Sequence, residues 1–351
     1  MTQFTRQFVL TGLFGAAGAT LVGCDKPSAG GKQVVNFSVL SVEKSQTLND
    51  LWMPFFDDMR KQTGLEINPY FAPDYTALIE AMRFKKVQAG WFSNVPGLDA
   101  IRLADGEVFA ETTYPEGFAG YYSIIIVKAD SKLTIDDVLK CDKSLNFGMG
   151  DAKSTSGTQA PLYYLFLPKK VEPKTCFKTV LQSGHGQNIQ AVANGVLDAA
   201  TNNTTALVDL ESRDPELRKK VKVIWQSPEA LPNDVIIYRK DLDPVIKEKL
   251  RSFFLSYGRA PGAEGERQLN VLKPLVLGGF IPGDNSHFIP VRLMEAASKL
   301  MVAQQSGDAE AIKKAQDDYA AVEKEKVDHD AQTFKQAPAD PKLPAMSSSA
   351  S

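Results

Sequence analysis

A chain of 351 residues, 43% of them hydrophobic, has material for one large core or two moderate ones. Forty basic against 42 acidic side chains leave a formal charge of −2, without the basic excess that a nucleic-acid binder carries. Charged (23%) and aromatic (9%) contents are ordinary, which excludes a mostly disordered, collagen-like, coiled-coil or multispan membrane chain. Three Cys and three His leave little for a Cys-rich metal site, so no metal or other cofactor is expected.

In chain order the first element is an address. Arg6 is the sole charge ahead of Cys24, and residues 8–23 are apolar or small, too short for the ~20 residues of a spanning helix. A basic start, an apolar middle and small residues before a break describe a secretory signal over residues 1–23. Leu21-Val22-Gly23-Cys24 resembles a bacterial lipoprotein lipobox, which implies that Cys24 becomes the lipidated N-terminus. An ordinary cleaved signal with an incidental Cys is the alternative. Residues 24–33 then read as a tether. Export would put Cys141 and Cys176 in an oxidising compartment, where they are expected to bridge; two free buried thiols are the alternative.

Val34–Val39 reads as a strand. Leu48, Leu51, Trp52, Phe55, Phe56 and Met59 follow the spacing of an amphipathic helix that Gly64 stops. Leu65–Phe71 alternates as a strand, Pro73-Asp74 opens a helix over Tyr75–Phe84, Ala89–Phe92 is a buried strand, and a helix follows from Pro96. Tyr121–Val127 is the most continuous β run and starts a second series. This has a strand at Leu145–Met149, helices at Ser156–Phe166 and Ile189–Val196, and strands at Asp198–Asn202, Val221–Trp225 and Val235–Tyr238. Asp243–Tyr257 is helical again, and Val291–Val327 is charged and helical. Strands alternating with helices predict an α/β chain with mostly parallel sheets. The expected organisation is a first lobe over residues 34–126, a second over 127–234 and a return segment over 235–290. C-terminal helices over 291–335 and a disordered Pro/Ala/Ser-rich tail over 336–351 complete it. Paired lobes of this kind hold ligands in the cleft between them.

The sharpest local signal is Gly148-Met149-Gly150-Asp151-Ala152-Lys153-Ser154-Thr155-Ser156-Gly157. A strand ends, and three hydroxyl residues and a glycine open a helix. Free N–H groups, O–H donors and the positive end of a helix dipole suit a tetrahedral oxyanion; plain helix capping is the alternative. No Gly-Lys-Ser/Thr follows, so this is not a nucleotide phosphate loop. His185, between Gly184 and Gly186, reads as an exposed, flexible junction residue that can donate to an anion. His287 and His329 read as surface or packing residues, and Asp151 and Lys153 as a solvated loop pair without a role. Tyr75, at a helix start, and Asn202-Asn203 and Trp91-Phe92, at strand ends, sit where cleft ligands gather; core packing is the alternative for Trp91. Asp234 lies where the chain crosses back between lobes.

Together, Ala72-Pro73-Asp74-Tyr75, Met82-Arg83-Phe84, residues 150–157, Ala191-Val192-Ala193-Asn194-Gly195 and Ala200-Thr201-Asn202-Asn203 resemble the phosphonate-binding proteins of ABC importers. The similarity runs from about Val39 to Tyr257. It implies a two-lobed type II periplasmic-binding-protein fold that closes on a phosphonate or phosphite, with an ABC permease as partner and no nucleic acid. It also implies a periplasmic chain, which the lipobox resemblance would hold at the membrane by a lipid on Cys24. Carried over residue by residue, Ser154, Thr155 and Ser156 match the oxyanion triplet, and Tyr75, Tyr121 and His185 match further anion contacts; Asn202, by its strand-end position, offers an amide donor. Asp234 matches an acid facing the ligand's far end. Two departures stand out. Aminophosphonate-binding relatives place Glu where Thr205 stands, and an ammonium in a closed cleft needs paired charge, so 2-aminoethylphosphonate is disfavoured. Phe92 stands where relatives often have Tyr, removing a hydroxyl. Methylphosphonate, phosphite or hypophosphite is the expected ligand.

Two other functions compete. A secreted phosphoester or phosphonate hydrolase would use Ser154 and His185, but the Gly-x-Ser-x-Gly elbow and a two-metal carboxylate/His set are missing. A sensor domain of the same fold would need a separate signalling partner. A binding protein, not an enzyme, is the expected reading.

Overall fold

The computed structural model describes residues 33–115 and 121–336. The signal, Cys24, the tether up to residue 32 and the tail over 337–351 lie outside the described residues.

The chain builds two sheets. The first has the order β11-β4-β10-β3-β1-β2 and the second β7-β6-β8-β5-β9. Strands of the first are β1 (Val34–Val39), β2 (Glu66–Phe71), β3 (Ala89–Phe92), β4 (Gly106–Thr113), β10 (Val235–Arg239) and β11 (Gly279–Pro282). Those of the second are β5 (Ser123–Lys128), β6 (Asn146–Met149), β7 (Thr179–Gln182), β8 (Ala199–Asn203) and β9 (Val221–Gln226). In each sheet three parallel strands meet a strand that runs against them, β10 against β3 and β5 against β8, and antiparallel pairing continues beyond it at β10–β4, β4–β11 and β5–β9. Both β10 and β5 arrive straight after a crossing from the other sheet. The expected strand over Tyr121–Val127 is shorter at its start. There Tyr121 makes a lone bridge to Leu231, and Tyr122 N donates to the Thr204 hydroxyl at 3.0 Å.

Helices of the first lobe are α1 (Ser45–Thr63), α2 (Tyr75–Arg83) and α3 (Asn94–Leu103). The second holds α4 (Ile135–Val138), α5 (Pro173–Cys176), α6 (His185–Ala193), α7 (Thr204–Arg213) and α8 (Pro215–Arg218). The chain then returns through α9 (Pro244–Ser256) and α10 (Ala263–Leu272), and ends in α11 (Ile289–Ser306) and α12 (Ala309–Gln336). The periodicity of α1 buries Leu48, Trp52, Phe55, Phe56 and Met59 on one stripe, and Gly64 ends it at φ 68°. Those aromatics pack with Phe37, Phe253, Phe254 and Phe280 on one face of the first sheet, while α2 and α3 cover the other. The second sheet is likewise covered on both faces, as strands flanked by crossover helices require. Cys141 and Cys176 form the expected disulfide, with Cα atoms 4.1 Å apart.

The lobes are pseudo-equivalent down to single turns. Where α2 feeds β3, Lys86 N and Val87 N both donate to Ala81 O (2.8 and 3.2 Å), with Lys85 at φ 59°. Where α6 feeds β8, Val196 N and Leu197 N both donate to Ala191 O at the same two distances, with Gly195 at φ 71°. Gln88 and Asp198 then accept from Asn36 N and Asn146 N, which lie on equivalent strands.

The helix expected over Ser156–Phe166 is wound wider than an α-helix, with π turns at Thr155–Gln159 and Leu162–Phe166. Pro161 explains this. It has no N–H for the Gly157 carbonyl four residues back, and its ring crowds that carbonyl. Gly150 N (2.9 Å) and Thr201 Oγ1 (2.7 Å) take the released oxygen instead, which ties the helix start to β6 and β8.

The C-terminal helices fold back on the chain. α12 is tied to α11 by Arg292–Glu325 (2.6 Å). In turn, α11 reaches the first lobe through Arg102–Glu295 (3.0 Å) and the second through Gln159 Nε2 to Ser298 Oγ (3.1 Å). Among the described residues no helix is long and apolar enough to cross a membrane, and no cluster of three His, Cys, Asp or Glu could hold a metal ion.

Candidate ligand-binding site

A cavity of about 100 Å³ lies between the lobes. It gathers Tyr75, Tyr121, Ser154, Ser156, His185 and Asp234 into one lining, although these residues span both sheets and the crossings between them. Thr155 and Asn202 do not line it. The Thr155 hydroxyl accepts from Val95 N (2.9 Å), and Asn202 Nδ2 donates to the His185 carbonyl (3.0 Å).

The close approach of Gly150 and Gly157 sets the oxyanion-suited end. A Cβ on Gly150 would stand 2.6 Å from Gly157 Cα, and no side chain fits there. Ser154 caps the helix by accepting from Gly157 N at 2.9 Å, so its own hydroxyl proton is left to donate. The N–H groups of Thr155 and Ser156 open the first turn and have no carbonyl in a preceding turn to bond. Ser156 Oγ accepts from Asn203 Nδ2 (3.2 Å) and stands 3.5 Å from His185 Nε2.

His185 is not the exposed junction residue its glycine neighbours suggest. It is the first residue of α6 and 4% exposed, and burial lowers its pKa to about 4. The imidazole is neutral at physiological pH, and its Nδ1 is buried without a partner. The flanking glycines serve packing. Gly184 approaches the Val42 carbonyl, and the Glu43 carboxylate occupies the space a side chain on Gly186 would need.

Opposite the hydroxyls stand three tyrosines. Burial first, then the charge of Asp234, raises the pKa of Tyr75, Tyr114 and Tyr121, so all three are neutral donors. Burial also pushes Asp234 up to about 7, and among the described residues no basic side chain pairs with it. The Trp91 indole opposes that rise as a donor toward Asp234, though its buried Nε1 closes no full hydrogen bond. The Ser93 hydroxyl is likewise buried and unpaired. Such groups each cost about 1–3 kcal/mol when left unsatisfied, and Trp91, Ser93 and His185 all line the cavity. Neither Lys nor Arg lines it; Glu43 and Asp209 do, and Arg213 pairs with both. The wall therefore meets an anion with hydroxyls, N–H groups and a helix dipole rather than a cation.

Sequence reasoning missed Ser93, Thr112 and Tyr114, along with the apolar cover from Leu48, Leu51, Trp52 and the 274–277 segment. A strand-end position is the only signal the first three carry, and nothing local marks the cover. Phe92 corrects an expectation. Its ring is fully buried among Leu40, Leu78 and Leu98 and does not line the cavity, so the missing hydroxyl is no loss from the wall. Asp151 and Lys153 are not a solvated pair: one accepts from Tyr75 N and the other pairs with Asp99. His287 packs, with Nε2 2.9 Å from both Asn94 Oδ1 and Asn233 O.

Two pseudo-equivalent α/β lobes closed over a cavity at a helix start define the type II periplasmic-binding-protein class. The family described as "ABC transporter, phosphonate, periplasmic substrate-binding protein" matches residues 37–288. The "Phosphonates-binding periplasmic protein" of Escherichia coli is 39% identical over 262 residues, covering 74% of this chain and 75% of that one. A binding protein component of an ABC phosphonate transporter from Pseudomonas aeruginosa superposes with TM-score 0.81 at 38% identity, over 86% of this chain and all of that one. A Prochlorococcus marinus protein solved with methylphosphonate has the same fold, with TM-score 0.65 and 21% identity over 75% of this chain and 97% of that one. The chain belongs to this family of phosphonate-binding periplasmic proteins of ABC transporters. It is a binding protein and not an enzyme, and the hydrolase alternative built on Ser154 and His185 falls.

Proposed function

We propose that the cavity takes a phosphorus oxyanion with a small, uncharged tail, such as methylphosphonate, phosphite or hypophosphite, and that the closed lobes present it to the permease. Ser154, Ser156, Tyr75, Tyr121 and His185 donate to the oxygens. Thr155 contributes its N–H, Asn202 holds His185 in place, and Asp234 bounds the far end. The carrying observation is the charge of the wall. Thr205 lines the cavity where aminophosphonate binders have Glu, and its hydroxyl donates to Asn203 Oδ1 at 2.8 Å. Of the three lining carboxylates, Arg213 occupies two. That leaves Asp234 alone to face an ammonium, and one carboxylate at a pKa of about 7 is weak compensation for a buried cation.

Isothermal titration tests this. Methylphosphonate and phosphite are expected to bind at least tenfold tighter than 2-aminoethylphosphonate; tight binding of the aminophosphonate alone overturns the proposal.

Cys24 is the proposed lipid attachment site, supported by the Leu21-Val22-Gly23-Cys24 run behind an apolar stretch. Cells fed labelled palmitate are expected to label the wild-type protein and not the Cys24→Ala variant. Equal labelling of both refutes the anchor.

A further inference from the structure

Two loops cross the cleft in opposite directions. From the second lobe, residues 151–155 reach the starts of two first-lobe helices. Asp151 Oδ2 accepts from Tyr75 N of α2 (3.3 Å), and Thr155 Oγ1 accepts from Val95 N of α3 (2.9 Å). Between them, Lys153 Nζ lies 2.8 Å from Asp99 Oδ2, also on α3. From the first lobe, Glu43 lies against the start of α6, filling the space a Cβ on Gly186 would need, and pairs with Arg213 of α7 at 3.4 Å. By the pseudo-symmetry, α2 and α6 are equivalent helices. Each lobe thus sends the loop after its own first parallel strand onto the corresponding helix of the other. A carboxylate sits at each of these helix starts, where the dipole favours it.

Asp99, Asp151, Lys153 and Arg213 do not line the cavity. We infer that Asp151, Lys153 and Asp99, with Glu43 and Arg213 in the reverse direction, form a reciprocal latch of positioning residues that holds the lobes shut over the ligand. Affinity then depends also on side chains outside the cavity wall, Asp99, Asp151, Lys153 and Arg213. The inference rests on the reading of the chain as a closing phosphorus-oxyanion binder. Since Asp151 and Lys153 share a loop with Ser154, that loop cannot withdraw from the first lobe without breaking the latch contacts. A ligand held by Ser154 on one side and Tyr75 on the other therefore adds its own contacts to those of the latch, shifting the population toward the closed form.

Charge reversal tests it, with methylphosphonate and phosphite as probes. Partly exposed ion pairs are individually weak. Turning attraction into repulsion is expected to lower affinity about tenfold in Lys153→Glu and in Asp99→Lys, and the double variant should return to within about threefold of wild type. Asp99→Lys is the diagnostic single change. It adds positive charge near an anion site, so long-range electrostatics alone would raise affinity. Interlobe distance at saturating ligand, read by fluorescence transfer between one dye on each lobe, should lengthen in the singles and recover in the double. Near-UV circular dichroism checks that each variant is folded; an unfolded single leaves the double to decide, since an intact latch requires its near-wild-type closure. Wild-type protein that binds and closes while both singles match it overturns the latch alone. Wild-type protein that binds neither probe overturns the functional reading, and the latch with it.

Discussion

Replacing Ser154 and Ser156 together by alanine lowers the affinity for a phosphorus oxyanion by two to four orders of magnitude. Each hydroxyl lines the cavity at the open start of a helix, where hydrogen bonds to a charged group contribute about 1.5–3 kcal/mol each. No lining Lys or Arg stands ready to compensate. The protein itself is expected to lose only about 1 kcal/mol, chiefly the Ser154 cap on Gly157 N. Titration calorimetry and thermal melting on the same samples separate the two effects. A loss of less than tenfold with the melting temperature unchanged would show that the ligand is held elsewhere.

Replacing Asp234 by asparagine stabilises the unliganded protein at pH 8 and does nothing at pH 4. Burial raises the Asp234 pKa from 3.8 to about 7. Between those values the native state keeps a proton that the unfolded chain gives up. The stability contributed by the protonated form is complete below pH ~4 and is lost as pH rises through about 7. Asparagine, which has no proton to give up, escapes that loss. The difference between variant and wild type should grow from near zero at pH 4 to about 2–4 kcal/mol at pH 8, because each pH unit separating the native and unfolded pKa values is worth about 1.36 kcal/mol. Urea unfolding across that range reads it. A constant difference at every pH would mean that Asp234 titrates normally. The same variant should bind methylphosphonate no worse than wild type, whereas an ammonium-bearing ligand would lose its one facing carboxylate.

Local chemistry made much of the scaffold legible. The stripe from Leu48 to Met59 with Gly64 behind it, the alternation before Phe71, and the Asp74 cap, whose side chain accepts from Ala77 N, mark elements that the structure contains almost residue for residue. Other elements were not marked. β4 lies between β10 and β11, and its partners are over 100 residues away. β7 is an edge strand with little buried surface. The π turns did leave a trace in the four-residue spacing of Gly157 and Pro161, but their cause is completed only by Gly150 and Thr201, which claim the freed carbonyl.

The candidate site divides along the same line. The hydroxyls at the end of a buried strand were readable because a helix start and its donors are local. The amino-acid sequence by itself determined the alternating strands and helices, the oxyanion-suited junction and the family motifs, since each is written in neighbouring residues. Only the tertiary structure decided that His185 is buried and neutral, that Phe92 faces the core, that Asp151 and Lys153 reach across the cleft, and that Ser93, Thr112 and Tyr114 join the wall. Those facts depend on which loops of two separate sheets meet. Periodicity records which face of an element is covered, but not what covers it.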